Sequence, residues 1–145
     1  MKKMIKDLNK AIDYIKSGEA TCVLMKDGEI IDKTSGIGVK PILGFLESNR
    51  LKDMQIADKV IGKAAAMLLT LGGVTYVHGE IMSKSGRDYL QQKGIALSHG
   101  LLVENIINRD GTDLCPLEKS VVDIDDLQKG YQAIKDTIAV LMAKK

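Results

Sequence analysis

Aromatic side chains are scarce in this 145-residue chain, which has no tryptophan, one phenylalanine and four tyrosines. Phe45, Tyr14, Tyr76, Tyr89 and Tyr131 are scattered along the sequence, leaving no platform on which single-stranded bases would stack. Charge of one sign is missing too. The 21 basic and 19 acidic residues are interspersed and leave a net charge of only +2, so there is no extended field to attract a polyanion. A nucleic-acid partner is therefore not expected.

Metal-binding and cross-linking residues are equally few. Cys22 and Cys115 stand in different contexts, and His78 and His99 are the only histidines. A four-ligand zinc site of the usual spacing cannot be written from them, and two isolated cysteines read as reduced thiols rather than a disulfide framework. No metal and no cofactor is expected. Long apolar runs are also lacking: the longest, Ala64 to Leu69, is far too short to span a bilayer. No membrane association is expected, and the predicted location is cytoplasmic.

What remains is the composition of an ordered globular domain, 45% apolar and 28% charged, with no stretch of disordered type. A chain of this length fits a single domain, residues 1–145, able to bury roughly 70% of its unfolded surface. Met4, Leu8, Ala11, Ile12 and Ile15 recur at helical spacing before Gly18, predicting a helix over 4–17. Two strand-like runs, 21–25 and 29–34, flank Asp27-Gly28, a strong hairpin signal. Pro41 suits the first turn of a short helix to about Asn49. A brief extended segment over 54–57 and a largely apolar helix over 59–71, closed by Gly72-Gly73, follow.

Strand 74–81, helix 83–93 and strand 95–98 then alternate, which predicts a right-handed crossover and parallel pairing. A final helix carries the stripe Leu127, Tyr131, Ile134, Ile138 and Leu141. The fold class is thus α/β, a sheet opening with an antiparallel hairpin.

Parallel sheets gather ligands beyond the carboxyl ends of their strands, where helix N-termini present free N–H groups. Two helix starts, Asp58-Lys59 and Ser83-Lys84-Ser85, should share that edge. Lys59 and Lys63, four apart, would lie on one helix face, where cations in the first turns call for a compensating negative group. Either Asp58 acting as cap or an anionic ligand would supply it. His78, in a strand among apolar neighbours, reads as a satisfied structural residue.

The segment Asn108 to Lys119 is dense in polar types. Cys115 precedes Pro116 and so should cap a helix, where a thiol's pKa falls and the thiolate becomes a better nucleophile, aided by Arg109 or Lys119. The same residues have a structural reading: Asp110-Gly111 as a turn, with Glu118 reaching back as in a capping box.

Three segments together, Gly36 to Pro41, Ala57 to Ala66 and Asn108 to Lys119, resemble a small prokaryotic family of uncharacterised function. That family is assigned a cytidine-deaminase-like fold, so the resemblance implies a three-layer α/β/α arrangement around a mixed sheet. Zinc deaminases place His-x-Glu or Cys-x-Glu at one helix start and Pro-Cys-x-x-Cys at the next; here neither set is present. The resemblance thus implies a deaminase-type cleft without zinc. Small anionic or nucleotide-like ligands are the expected partners, with Lys40, Lys59, Ser83, Arg109, Asp110, Thr112 and Glu118 as binding candidates. Cys115, Asp58 and Lys63 are the candidates for chemistry. A non-enzymatic regulatory module and a structural homo-oligomer are the competing readings.

Overall fold

The computed structural model describes residues 2–36, 38–108 and 110–143. Its first helix, α1 (Lys2–Ser17), follows the expected apolar spacing and buries Leu8, Ala11 and Ile15. Strands β1 (Cys22–Lys26) and β2 (Glu29–Thr34) form the hairpin. Asp27 and Gly28 between them both have positive φ, 50° and 83°, as a two-residue turn matched to strand twist requires.

Pro41 lies in the first turn of α2 (Lys40–Glu47). After β3 (Gln55–Ile61) the chain enters α3 (Lys63–Gly72), which Gly73 closes in the left-handed conformation. Every residue from Ala64 to Leu69 is buried, so α3 is the central helix of its layer. β4 (Tyr76–Ser83), α4 (Lys84–Gln92) and β5 (Ala96–Val103) alternate as expected, with β4 and β5 running further toward their carboxyl ends than their patterns indicate. Short α5 (Pro116–Val121) and long α6 (Leu127–Ala143) complete the described chain.

One departure moves the site. The strand expected to end at Ala57 continues through Asp58, Lys59, Val60 and Ile61. Val60 and Ile61 are β-branched and fit a pleated surface better than a first helical turn. Asp58 is moreover locked into the sheet, in register with Cys22 on β1 and Gly79 on β4. It does not cap a helix, and Lys59 and Lys63 do not share a helix face; the helix starts at Gly62 and Lys63 instead.

The five strands are ordered β2-β1-β3-β4-β5. β3, β4 and β5 are parallel, as the alternation predicts, while β1 is antiparallel to β3 as well as to β2. Val23, Met25 and Ala57 pack on one face with α1. Cys22, Leu24, Ile56 and Val77 point the other way, into the larger core formed with residues of α2 through α6. The fold is therefore mixed α/β, a five-stranded mixed sheet with helices on both sides. Among the described residues no helix is long and apolar enough to cross a membrane.

Candidate functional site

Because β3 and β4 are parallel, α3 and α4 begin at the same edge of the sheet. Their first turns touch through backbone: a Cβ on Gly86 would lie 2.9 Å from the carbonyl carbon of Gly62, so a side chain there would push the two helix starts apart. Ser83 caps α4, its hydroxyl accepting from the Gly86 N–H at 3.0 Å and lying 3.1 Å from the Ser85 hydroxyl. The start of α3 has no cap of its own.

Glu118 supplies one from α5. Its Oε1 accepts from the Lys63 N–H at 2.8 Å and its Oε2 from the Ala64 N–H at 2.9 Å, which satisfies two of the donors every helix start leaves open. A Cβ on Gly62 would lie 2.3 Å from that Oε1, so glycine at 62 is what admits the carboxylate. Burial holds the Glu118 carboxyl above its usual range, against the opposing pull of the two N–H groups and Lys63. A negative group at this helix start is thus supplied by a glutamate 55 residues away from Lys63, and not by Asp58, which lies inside β3.

A cleft of about 260 Å³ opens beside these groups, lined among others by Lys63, Ser85, Asp88, Gln92, Asn105 and Glu118. Tyr89 and Asp125 also face it. The Lys63 Nζ lies 3.1 Å from Asp125 Oδ1, and the Tyr89 hydroxyl donates to the Asp125 carbonyl at 2.8 Å, which ties the segment before α6 to the mouth. Asp88 is paired with Arg87 at 3.0 Å. With Asp88, Glu118 and Asp125 against Lys63, the lining is acidic.

Of the residues singled out from sequence, Lys63 and Glu118 meet at this cleft, and Ser83 lies one step behind it as the α4 cap. Cys115 does cap α5 by position, its carbonyl accepting from the Lys119 N–H, but its side chain makes no cap hydrogen bond and packs on the larger core. Lys119 pairs with Asp113. Thr112 sits in a small loop pinned by its own bonds to Asn108, near exposed Asp110. Arg109 lies outside the described residues. Lys40 and Lys59 are exposed and do not line the cleft.

Asp58 is buried at 5% exposure, away from the cleft, with Oδ1 accepting from the Val60 N–H at 3.1 Å and Oδ2 unpartnered. Ser85 belongs to the helix start that the sequence places at this edge, whereas Asp88, Gln92 and Asn105 were not singled out there. Ser85, Asp88 and Gln92 stand on α4 at positions 1, 4 and 8 of the run Ser85 to Gln92, a helical face that was legible in principle. The donors at the two helix starts, Lys63, Ser83 and Ser85, include no thiolate or imidazole, and among the described residues no three His, Cys, Asp or Glu side chains converge on a point. That set does not suit zinc.

No curated protein matches the chain. A crystal structure of a DUF1893 family protein from Thermotoga maritima superposes with a TM-score of 0.78 at 23% identity, covering 97% of this chain and 90% of that one. Its agreement extends to the fold. A profile described as a domain of unknown function, DUF1893, matches residues 10–138. The chain therefore belongs to the DUF1893 family.

Proposed function

We propose that the cleft between the starts of α3 and α4 binds a small, uncharged, nucleoside-like molecule by hydrogen bonds, without a metal. The observation that carries this reading is the convergence of Ser85, Gln92 and Asn105, donors and acceptors not committed to ion pairs, on a space of about 260 Å³. That volume sits just below the roughly 300–1,000 Å³ of drug-sized pockets, which suits a base or nucleoside rather than a dinucleotide. An anionic ligand is less well served. Glu118 already holds the α3 N–H groups, and Asp88 and Asp125 repel a second anion.

A cytidine-deaminase-like architecture is supported by the strand order and by the two helix starts meeting through Gly62 and Gly86. Within that frame Glu118, and not Cys115, is a titratable group that lines the cleft, and burial raises its carboxyl. Titration calorimetry in EDTA with nucleobases, nucleosides and nucleoside monophosphates tests the reading. Nucleosides should bind more tightly than their monophosphates, and a saturating one, at 100 times its Kd, should stabilise the fold by about 2.7 kcal/mol. Ser85→Ala together with Gln92→Ala should remove the effect. Failure of every nucleoside at millimolar concentration rejects it.

A second reading is self-association through the end of α6, where Val140, Leu141 and Met142 are exposed apolar residues on one short stretch. Sedimentation equilibrium should then give a dimer that Val140→Asp converts to monomer. A wild-type monomer at 100-fold dilution series throughout rejects it.

A further inference from the structure

The sheet face that carries α1 is only partly covered. α1 packs on β1, β3 and β4, whereas Ala96 and Gly100 on the edge strand β5 are exposed. Where the covered part gives way to the open part stand three side chains that the cleft does not use, one buried and two half-buried. Ser98 and His78 are register partners, with the serine Oγ 2.7 Å from His78 Nδ1. The other ring nitrogen, Nε2, is 3.1 Å from Glu80 Oε1. A carboxylate only accepts hydrogen bonds, so Glu80 fixes the ring proton on Nε2 and leaves Nδ1 to accept from the Ser98 hydroxyl.

The relay is built rather than incidental. His78 is 5% exposed, held in one orientation by both partners, while Ser98 at the relay's outer end is half-buried and open to solvent. A Cβ on Gly100 would lie 2.6 Å from the Glu80 carbonyl oxygen and 2.8 Å from its Oε1, so glycine there admits both the β4 backbone and the carboxylate that turns to the ring. Just beyond, Val60, Ile81 and Leu101 pair side by side across β3, β4 and β5. None of the three packs into either apolar core, and Leu101 is 62% exposed.

We infer that Ser98 is an activated nucleophile for acyl transfer from small apolar esters, with His78 as general base and Glu80 as the residue that positions it. Nucleophile, base and orienting acid stand in the order that serine hydrolysis needs, with the ring nitrogens exchanged. The serine oxygen bonds to the ester carbonyl carbon as its proton passes to Nδ1. The tetrahedral adduct expels the alcohol, which takes that proton, and water then attacks the acyl-serine by the same route to release the acid. Among the described residues β5 pairs with β4 alone, which leaves alternate N–H groups along its outer edge without a strand partner. Val60, Ile81 and Leu101 offer the acyl chain an apolar bed.

A fluorophosphonate probe tests this on the whole chain, since the serine oxygen displaces fluoride at phosphorus. Mass spectrometry should find one adduct, on Ser98, that Ser98→Ala abolishes. Labelling should slow by about 10²–10⁴-fold in His78→Gln and by at least about tenfold in Glu80→Gln. The wild-type rate should rise with pH and level off once a single group has lost its proton. No adduct on Ser98, wild-type labelling rates in folded His78→Gln and Glu80→Gln, or a wild-type rate that climbs in proportion to hydroxide without levelling would each overturn the assignment; the last holds even if the variants do not fold.

Discussion

Asp58→Asn should make the protein markedly more stable at pH 8 and leave it nearly unchanged at pH 4. Burial between β1 and β4 raises the Asp58 carboxyl from 3.8 to about 7, although the N–H groups of Val60 and Lys59 and the Cys22 thiol pull it down. An acid whose folded pKa is raised takes up a proton on folding, so its cost is absent below the unfolded pKa and grows as pH rises toward the folded one. The window is therefore about pH 4 to 7, and above it the wild type carries the whole penalty. A shift of this size corresponds to at most about 4 kcal/mol.

Asparagine keeps the oxygen that accepts from Val60, and in the place of the unpartnered Oδ2 it sets an uncharged amide whose own unmet donors offset part of the gain. The melting temperature at pH 8 should then rise by about 10 °C, and the pH dependence between 4 and 7 should flatten. Equal destabilisation of the variant at both pH values would show that Asp58 is retained for its hydrogen bonds and not merely tolerated. Cys22 shares the site: burial and the neighbouring carboxylate push its thiol well up, so it behaves as a small core residue.

Glu118→Ala should have the opposite sign. It leaves the Lys63 and Ala64 N–H groups without their acceptor and cuts the link between α5 and α3. Hydrogen bonds to a charged group contribute roughly 1.5–3 kcal/mol each; water entering from the adjacent cleft recovers part of that, so a net loss of about 3 kcal/mol is expected in urea unfolding. Glu118→Gln should lose less, since one amide oxygen still accepts, yet its NH₂ faces a second donor. The same substitution should loosen the cleft wall, seen as faster amide exchange at Lys63 and Ala64 than in wild type. Unchanged exchange and stability in Glu118→Ala would mean that the cap is dispensable and the cleft is held by Tyr89, Lys63 and Asp125 alone.

Most of the architecture was legible because it rests on local rules. The Asp27-Gly28 hairpin, Pro41 in a first turn, Gly73 closing the central helix and the alternation that makes β3, β4 and β5 parallel all follow from short-range backbone chemistry. Even the edge of the sheet that carries the cleft followed from that alternation. The error at residues 58–61 came from the same rules, since aspartate before an apolar run is the usual mark of a helix start. Only register with Cys22 and Gly79 shows it as a strand residue.

Side-chain meetings were another matter. Nothing in the spacing of Glu118 announces that its carboxylate crosses to α3 instead of capping its own helix, or that Gly62 and Gly86 are needed for the two starts to touch. Cys115 looked reactive in one dimension because it precedes a helix; in three it lies against the core, and its helix has six residues. His78 looked like a satisfied strand histidine, which it is, but its partners Ser98 and Glu80 come from register and from the gap at Gly100.

By itself, then, the amino-acid order determined most of the elements, the sheet's mixed character and the edge at which α4 begins, because turns, caps and periodicities act over a few residues. The tertiary structure decided which carboxylates are consumed, which are stranded and which meet a histidine. Those outcomes depend on distances between residues as far apart as Lys63 and Asp125, 62 positions along the chain, and on the dielectric each is buried in. No local pattern encodes either.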